Sequence, residues 1–345
     1  MSNYFFVSTG GAGNRILDSI LTINNSYNGC FINSNGNEIK ILDNYNINNS
    51  IIMNTDGNGA NRSRDKAKKS YDTDKGKIIN FFIDKITDYD CCILISSLAG
   101  GFGSGTTFKI AEDLKSINPN IKVSLIGVCP KSNSSRTEIF NVLQFYNELL
   151  ECNYIDNYIF VDNNKMKSEE KFNKLIAEYI LDSIEFNYAI IDSNDILTAH
   201  TTRGYKSILK LNPTIDNIED AIEYAKLETP FILPRDVFLG SIGLVSVDKD
   251  IYDKNIIEDM FNVREFSKSD YNNLDLNIII TSGCLRPTGT FKNFESKYNE
   301  LKNRIDIEQD LFKSTVVNIK NNDIVENVPK ILNKREMMRR LKKKL

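Results

Sequence analysis

A glycine-rich segment that follows an apolar run most constrains what this chain can fold into. Residues 100–105 are Gly-Gly-Phe-Gly-Ser-Gly, and residues 91–95 before them are Cys-Cys-Ile-Leu-Ile. A strand that ends in such a turn and continues into a helix presents backbone N–H groups, a typical cradle for phosphates. The segment superficially fits the pattern G-x-x-x-x-G-K-[ST], but Thr106 stands where the lysine belongs. A triphosphate held here would need backbone amides, hydroxyl groups and a metal ion.

Short apolar runs alternate with helical patterns along the first 165 residues. This alternation predicts an α/β fold with βαβ units and a mainly parallel sheet, whose ligands bind at the carboxyl ends of the strands. Residues 168–191 carry apolar side chains at three- and four-residue spacing, which predicts one long central helix. The block after it predicts a smaller α+β domain, with strands at residues 205–211, 237–247 and 274–282 and a helix at 217–226. A charged helix is expected at residues 291–312.

Composition and charge exclude several classes of protein. The chain has 345 residues, with 43 Lys and Arg against 46 Asp and Glu, a net charge of −3 that does not suit a nucleic-acid-coating body. No apolar run approaches the ~18–20 residues needed to cross a bilayer, and the first residues lack the basic segment of a signal peptide. Six scattered cysteines without a C-x-x-C pair predict buried, reduced thiols. We therefore expect a cytoplasmic protein without membrane contact, and we assign no role to the single histidine, His200.

The C-terminal segment has a net charge opposite in sign to that of the rest of the chain. Residues 334–345 contain seven basic residues and one acid, Glu336, a local charge of +6 that leaves −9 for the rest of the chain. Such a tail can contact DNA phosphates, an acidic partner or only water. The expected organisation is a Rossmann-like nucleotide-binding domain at 1–167, a central helix at 168–192, a C-terminal activation domain at 193–288, a C-terminal helix and extension at 289–333, and a basic tail at 334–345.

Three glycine-rich turns together resemble the nucleotide loops of the tubulin/FtsZ superfamily. The segment at residues 100–105 resembles its G-G-G-T-G-[ST]-G phosphate loop, with Phe102 departing from the pattern. Gly-Gly-Ala-Gly-Asn at residues 10–14 is similar to its first nucleotide loop, although alone this turn fits a tight structural turn equally well. Gly-Asn-Gly-Ala-Asn at residues 57–61 is similar to its G-x-G-A-N loop, which touches the γ-phosphate. The resemblance covers roughly residues 3–285.

Further loops resemble those of the same superfamily. Pro130 ends a strand as its sugar-binding loop does, and Glu138 matches its ribose-contacting acid. Asn163 matches the residue that binds guanine, and Phe172 is a candidate for the ring stacked on the base, although a Phe on an apolar helical stripe is more often core. The resemblance implies GTP or GDP with Mg²⁺ as ligands, and no resident metal site. The nucleotide-binding residues that it implies are Gly10, Gly11, Ala12, Gly13, Asn14, Asn35, Gly57, Gly59, Ala60, Asn61, Gly100, Gly101, Phe102, Gly103, Ser104, Gly105, Thr106, Pro130, Glu138, Asn163 and Phe172.

Two positions depart from the superfamily's pattern. Asn35 stands where an Asp is usual in the loop at residues 33–35, which spacing favours over Asn-Thr-Asp at residues 54–56. The arginine expected four residues beyond Glu138 is Val142, so that its role is absent or taken by Arg136. Asn35 therefore leaves the magnesium environment open.

The end of the long helix resembles the superfamily's N-x-D-x-x-D catalytic loop. On this resemblance, Asp195 is the favoured acid and Asp192 the second, and both would act on the nucleotide of the next subunit; a plain helix-ending turn is the alternative. Within the superfamily the chain most resembles the TubZ branch of plasmid and phage partition. That implies head-to-tail GTPase filaments, with the C-terminal helix docking on the next subunit and the tail engaging a TubR-like, centromere-binding adaptor on DNA.

Two other functions stay open. A guanine-nucleotide-binding regulatory protein that neither polymerises nor hydrolyses is favoured by Phe102, by Asn35 and by the missing arginine. A nicotinamide-dependent dehydrogenase is disfavoured, because Ile16 breaks the G-x-G-x-x-G fingerprint and because His200 is the only histidine available for catalysis.

Overall fold

Buried apolar runs of six to eight residues form the central strands of the sheet. In the computed structural model, which describes residues 3–53, 59–185, 191–248, 250–270 and 277–314, every residue of Tyr4–Thr9 is buried. The strands are β1 (Tyr4–Thr9), β2 (Asn28–Asn33), β3 (Ser50–Ile52), β4 (Cys91–Ser97), β5 (Lys122–Cys129), β6 (Asn157–Asp162), β7 (Gly204–Lys210), β8 (Leu239–Val247), β9 (Asn262–Asp270) and β10 (Ile278–Cys284). Continuous burial of this kind is typical of parallel strands covered on both faces.

Helices follow the strands in alternation through the first half of the chain. The helices of the whole described chain are α1 (Gly10–Ile23), α2 (Gly36–Lys40), α3 (Arg64–Phe82), α4 (Phe102–Ile117), α5 (Arg136–Glu151), α6 (Glu169–Ile184), α7 (Ser193–Thr201), α8 (Ile218–Glu228), α9 (Lys254–Met260) and α10 (Thr288–Ser314). Helix α1 packs against α6, whereas α4 packs against α3 and α5. The predicted α/β fold with a mainly parallel sheet is confirmed.

The described strands form one sheet in the order β3-β2-β1-β4-β5-β6-β7-β10-β8-β9. Strands β1 to β7 pair in parallel, and β10 runs antiparallel to both β7 and β8. The second block, expected to form a smaller α+β domain, continues this sheet, because β7 pairs with β6 at two positions, Asn157 with Gly204 and Tyr158 with Tyr205.

Two hydrophobic cores lie along this sheet. The larger core contains the side chains of β1, β4, β5 and β6, together with Ile208 of β7. The smaller core contains the next residue of β7, Leu209, with Ile222 of α8, Val245 of β8 and Ile279 of β10. Because successive side chains of a strand point to opposite faces, β7 contributes to both cores. Residues Met1–Lys302 form one compact unit, and the domain boundaries at 167, 192 and 288 remain predictions.

Several element boundaries differ from the sequence-based ones. The central helix α6 ends at Ile184, seven residues earlier than expected, with Glu185 as its C-cap. The strand expected at residues 274–282 is β10 and begins at Ile278; residues 271–276 lie outside the described part of the chain. The C-terminal helix α10 begins at Thr288 and extends to Ser314. The basic tail and Gly57 also lie outside the described residues.

All six cysteines are free thiols; burial, as predicted, is confirmed for five of them, whereas Cys152 is half-buried. Among the described helices, none is both long and apolar enough to cross a membrane.

Candidate functional site

The three glycine-rich turns meet in one cleft at the carboxyl ends of β1, β2 and β4. The cleft has a volume of about 450 Å³, within the range of ~300–1,000 Å³ typical of small-molecule sites. Predicted residues that line it are Gly10, Gly11, Ala12, Asn35, Gly59, Ala60, Asn61, Gly100, Gly101, Phe102 and Gly103. Lining residues that sequence reasoning missed are Arg15, Asn33, Ser34, Glu38, Arg62 and Ser97. We call this cleft the glycine pocket.

Backbones of the three turns pack directly against one another. A Cβ atom on Gly103 would lie 2.8 Å from the carbonyl oxygen of Thr9, and one on Gly101 would lie 2.5 Å from the backbone nitrogen of Ser63. Gly105 is equally confined, because a Cβ there would come within 2.8 Å of the Arg64 carbonyl oxygen. These glycines are therefore needed for close packing as well as for access to an anion.

Two helix N-termini converge on the glycine pocket. Helix α1 begins at Gly10 and α4 at Phe102, and neither has an acidic residue in its first turn. Their starts are adjacent, since a Cβ on Gly10 would lie 3.1 Å from the backbone nitrogen of Gly103. The first N–H groups of a helix have no partner within the helix and lie at the positive end of its dipole. Together they suit the pocket to a polyanion such as a polyphosphate.

Asn141 of α5 holds two of the turns together. Its Nδ2 donates to the carbonyl oxygens of Arg62, at 3.0 Å, and Ala99, at 2.9 Å, and its side chain is buried. Beside it, the buried Arg64 donates through Nη2 to the carbonyl oxygen of Ser104, at 2.9 Å, and to Glu148. These contacts fix the turn at residues 59–63 against the start of α4. Their signal in the sequence is weak, because the partners lie far apart along the chain.

Several predicted residues lie behind the pocket rather than at its surface. Asn14 is buried and links β1 to β2, because it accepts a hydrogen bond from Ser8 Oγ at 2.8 Å and donates to the Ile32 carbonyl at 3.4 Å. Gly13 packs on the Ile95 carbonyl. Ser104 donates to the Gly100 carbonyl, and Thr106 Oγ1 lies 2.9 Å from Thr9 Oγ1. These side chains support the pocket's shape.

The two candidate catalytic acids lie on the helix at the opposite ends of the strands from the glycine pocket. Asp192 and Asp195 are exposed at the start of α7. That helix lies at the amino ends of β1 and β6, since the ring of its His200 contacts the Tyr4 ring and Asn157 Nδ2 donates to the Thr202 carbonyl that ends α7. Helix α6, with 16 residues, spans about 24 Å between the carboxyl ends and the amino ends of the strands. Neither acid lines the glycine pocket of its own chain.

Comparison with known proteins agrees with this geometry. Residues 3–170 match the family model described as Tubulin/FtsZ family, GTPase domain. The matched region contains all three glycine-rich turns of the pocket.

The chain is also similar to a curated TubZ protein. The Tubulin-like protein TubZ of Clostridium botulinum C phage is 27% identical over 219 residues, which cover 61% of this chain and 60% of the relative. The match therefore spans less than two thirds of that relative's length.

Solved TubZ structures share the fold. A C-terminally truncated TubZ of Clostridium botulinum phage c-st has a TM-score of 0.79 at 23% identity, covering 87% of this chain and 98% of that one. A GTPγS-form protofilament of Bacillus thuringiensis serovar israelensis TubZ has a TM-score of 0.73 at 16% identity, covering 91% and 94%.

The remaining loops predicted from the tubulin/FtsZ resemblance lie outside the glycine pocket's lining. Pro130 lines a larger cavity of about 730 Å³, next to residues of α10 such as Phe294. Phe172 is 6% exposed, packs in the larger core and borders a third cavity of about 430 Å³. Asn163 is half-buried in a 3-10 turn after β6. The converging helix N-termini lie at the glycine pocket and not at these two cavities.

Glu138 and Lys165 have structural partners beside their loops. Glu138 completes a capping box at the start of α5, accepting hydrogen bonds from the backbone N–H and hydroxyl of Ser135. Lys165, two residues after Asn163, donates to the carbonyl oxygens of Thr229, at 2.6 Å, and Leu227, at 3.1 Å. Burial lowers the pKa of Lys165. This lysine links the loop after β6 to the carboxyl end of α8.

The residues of the pocket fit a magnesium ion that is held mainly by phosphates and water. Mg²⁺ in phosphate sites commonly takes one or two carboxylates and keeps several waters. Glu38 supplies a carboxylate at the pocket, oriented by a hydrogen bond from Asn33 Nδ2 at 2.8 Å. Asn35 supplies an amide oxygen, which caps α2 by accepting from the Asn37 N–H. In the described part of the chain, no three His, Cys, Asp or Glu residues cluster as a dedicated metal site.

Proposed function

We propose that this chain binds GTP in the glycine pocket and hydrolyses it. The convergence of two acid-free helix N-termini on a glycine-lined cleft supports polyphosphate binding. The match of residues 3–170 to the tubulin/FtsZ family model, which is described as a GTPase domain, supports GTP as the ligand. Mg²⁺, bound through the phosphates with Glu38 and Asn35 nearby, would neutralise charge on them.

We further propose that the active site is completed between subunits. The observation that carries this is the position of Asp195, which is exposed on α7, at the ends of the strands opposite the pocket. A head-to-tail contact brings Asp195 of one chain onto the pocket of the next. Repetition of such a heterologous contact yields a filament. The GTPγS-form protofilament of Bacillus thuringiensis TubZ, which shares the fold, supports this arrangement.

In this mechanism Asp195 orients the attacking water. Ser267 Oγ donates to Asp195 Oδ2 at 3.0 Å, which fixes the carboxylate and leaves Oδ1 to accept a hydrogen bond from water. Phosphoryl transfer depends mainly on positioning and on charge stabilisation, so that one well-placed acid on the neighbouring subunit suffices. Asp192 is the second acid of the loop.

The cellular role that we propose is movement of plasmid or phage DNA. The TubZ relatives and the +6 charge of residues 334–345 support it. The tail would bind a TubR-like adaptor on centromere DNA.

Sedimentation with GTP, with GDP and with a slowly hydrolysed GTP analogue tests the assembly proposal. We expect pelleting with GTP and with the analogue above a threshold protein concentration, and persistent polymer only with the analogue. Nucleotide binding without pelleting at any concentration would contradict the proposal and support the non-polymerising regulatory protein, for which Phe102 and Asn35 are the arguments.

A further inference from the structure

The phosphate loop of this chain lacks the cation that a P-loop supplies, because Thr106 stands where the P-loop has lysine. Among the described residues that line the glycine pocket, the cationic side chains are Arg15 and Arg62. We propose that Arg62 binds the terminal phosphate of the nucleotide and thereby makes the pocket prefer a triphosphate to a diphosphate. This inference rests on the proposed binding of GTP.

The backbone around Arg62 is held in a conformation that few residues adopt. Asn61 and Arg62 have φ angles of 46° and 58°, in the left-handed region. Such residues persist where their surroundings over-determine them. Here Asn141 binds the Arg62 carbonyl, and the Arg62 backbone packs so closely on Gly101 that a Cβ there would lie 2.6 Å from the Arg62 carbonyl carbon. The backbone of Arg62, from which its side chain extends, is thus fixed beside the phosphate loop.

The partners of the neighbouring arginines distinguish Arg62 from them. Arg64 is buried and bound to the Ser104 carbonyl and to Glu148. Arg15 is 44% exposed, but its Nε forms a shorter ion pair, of 2.5 Å, with Glu169 of α6. The guanidinium of Arg62 lies 3.5 Å from Glu138, and its side chain is 58% exposed. An ion pair this long and exposed contributes little, so that Arg62 is available to a stronger anion.

A terminal phosphate is such an anion. A guanidinium binds phosphate oxygens in a bidentate, charge-assisted arrangement that an ammonium cannot reproduce. Glu138 would compete with a terminal phosphate for the Arg62 guanidinium. Neutralising Glu138 should therefore strengthen triphosphate binding, whereas neutralising Arg62 should weaken it.

The test compares affinities for GTPγS and GDP, measured by calorimetry below the concentration at which the protein assembles. The variants are Arg62→Gln, which keeps the length of the side chain without its charge, and Glu138→Gln, whose amide can still complete the capping box. Arg203→Gln is the matched control, because Arg203 is exposed on the turn before β7 and donates to Asn153. The ratio of the two affinities cancels any contact that GTPγS and GDP share, including one from Glu138 to the ribose.

We expect Arg62→Gln to lower the preference for GTPγS over GDP about tenfold, the effect of one charge-assisted contact. Glu138→Gln should raise that preference, and Arg203→Gln should leave it unchanged. If Arg62→Gln still binds nucleotide with an unchanged ratio of GTPγS to GDP affinity, the proposed role of Arg62 is wrong, and the proposed binding of GTP is unaffected. Failure of the unmodified protein to bind either nucleotide would overturn the proposed function and this inference with it.

Discussion

Asp192 and Asp195 lie three residues apart, yet their side chains have different partners. Asp192 is the N-cap of α7, and its carboxylate accepts the backbone N–H of Asn194 at 2.9 Å. Asp195 lies in the first turn of the same helix and accepts a hydrogen bond from Ser267 on β9. The first contact stabilises a helix end, and the second orients a carboxylate.

Alanine substitutions should separate these two roles. We expect Asp195→Ala to abolish GTP hydrolysis while leaving nucleotide affinity and the free energy of unfolding nearly unchanged. Asp192→Ala should lower the free energy of unfolding by about 1 kcal/mol, because the cap of α7 is lost. Urea unfolding and single-turnover hydrolysis measure the two effects, and Asp192→Asn, which retains a capping side chain, is the control. Normal hydrolysis by Asp195→Ala would contradict the catalytic assignment.

Residue roles that depend on local sequence were predictable, and those that depend on distant partners were not. The glycines of residues 10–13 and 100–105 were identified because turn and helix signals are local. Arg62 and Asn141 are 79 positions apart, and Ser267 is 72 positions from Asp195. No spacing in the chain announces such contacts, since the fold brings them together.

At the scale of elements, the alternation of strands and helices was predictable, while some ends and pairings were not. The apolar stripe of α6 continues in sequence to Ile191, but the helix ends at Ile184. Periodicity reports which residues are buried, and Ile191 is buried after the helix has ended. The pairing of β6 with β7 involves only two residue pairs, too few to leave a pattern in the sequence.

A buried polar chain joins four of these elements. Lys206 of β7 donates to Ser124 Oγ of β5 at 2.9 Å and lies 3.2 Å from His200 Nδ1 of α7. His200 Nε2 lies 2.6 Å from the Ser183 carbonyl of α6, so that Nε2 carries the proton and Nδ1 accepts from Lys206. Burial lowers the pKa of Lys206 to about 8, and burial together with the Lys206 charge lowers the pKa of His200 to about 3.

Stability should depend on pH through Lys206. Its pKa is lower in the folded chain than the ordinary value of 10.5, so that above pH 8 the unfolded chain binds more protons and stability rises with pH. We expect the free energy of unfolding of the unmodified protein, relative to that of Lys206→Met, to rise by about 1 kcal/mol between pH 7 and pH 9. Contributions from the buried cysteines cancel in this difference.

The control for that measurement is Lys210→Met on the same strand, where the lysine is partly exposed and pairs with Asp182. Its stability relative to the unmodified protein should not change over this range. A Lys206→Met difference that is flat between pH 7 and pH 9 would show that Lys206 does not titrate as its burial implies.

At the scale of the whole molecule, the sheet separates the two halves of the proposed active site. The pocket forms at the carboxyl ends of the strands, and α7 with Asp195 lies at their amino ends. This separation follows from the parallel topology and the single pass of α6. The basic residues 334–345 carry a different task in the proposal, that of binding the adaptor.

Removal of the tail should separate assembly from adaptor binding. A chain that ends at Asn333 should hydrolyse GTP with the same dependence on concentration as the full chain, and it should lose salt-sensitive retention on adaptor–DNA complexes. A full-length variant with the seven basic tail residues changed to Gln is the matched control for charge against length. Undiminished retention of both variants would contradict the proposed role of the tail.

The central claim, that one subunit supplies the pocket and the next supplies the acid, is tested most directly by mixing two inactive variants. Asp195→Asn keeps the pocket without the acid. Ala12→Glu keeps the acid but puts a carboxylate among the phosphate-binding groups, where Ala12 lines the pocket at the start of α1.

Each variant alone should be inactive, and co-sedimentation confirms that both enter the same polymer. An equimolar mixture above the assembly threshold should recover hydrolysis, because about one interface in four joins an intact pocket to an intact acid if the subunits add at random. A co-sedimenting mixture that hydrolyses no more GTP than the two variants measured separately would contradict completion of the site between subunits.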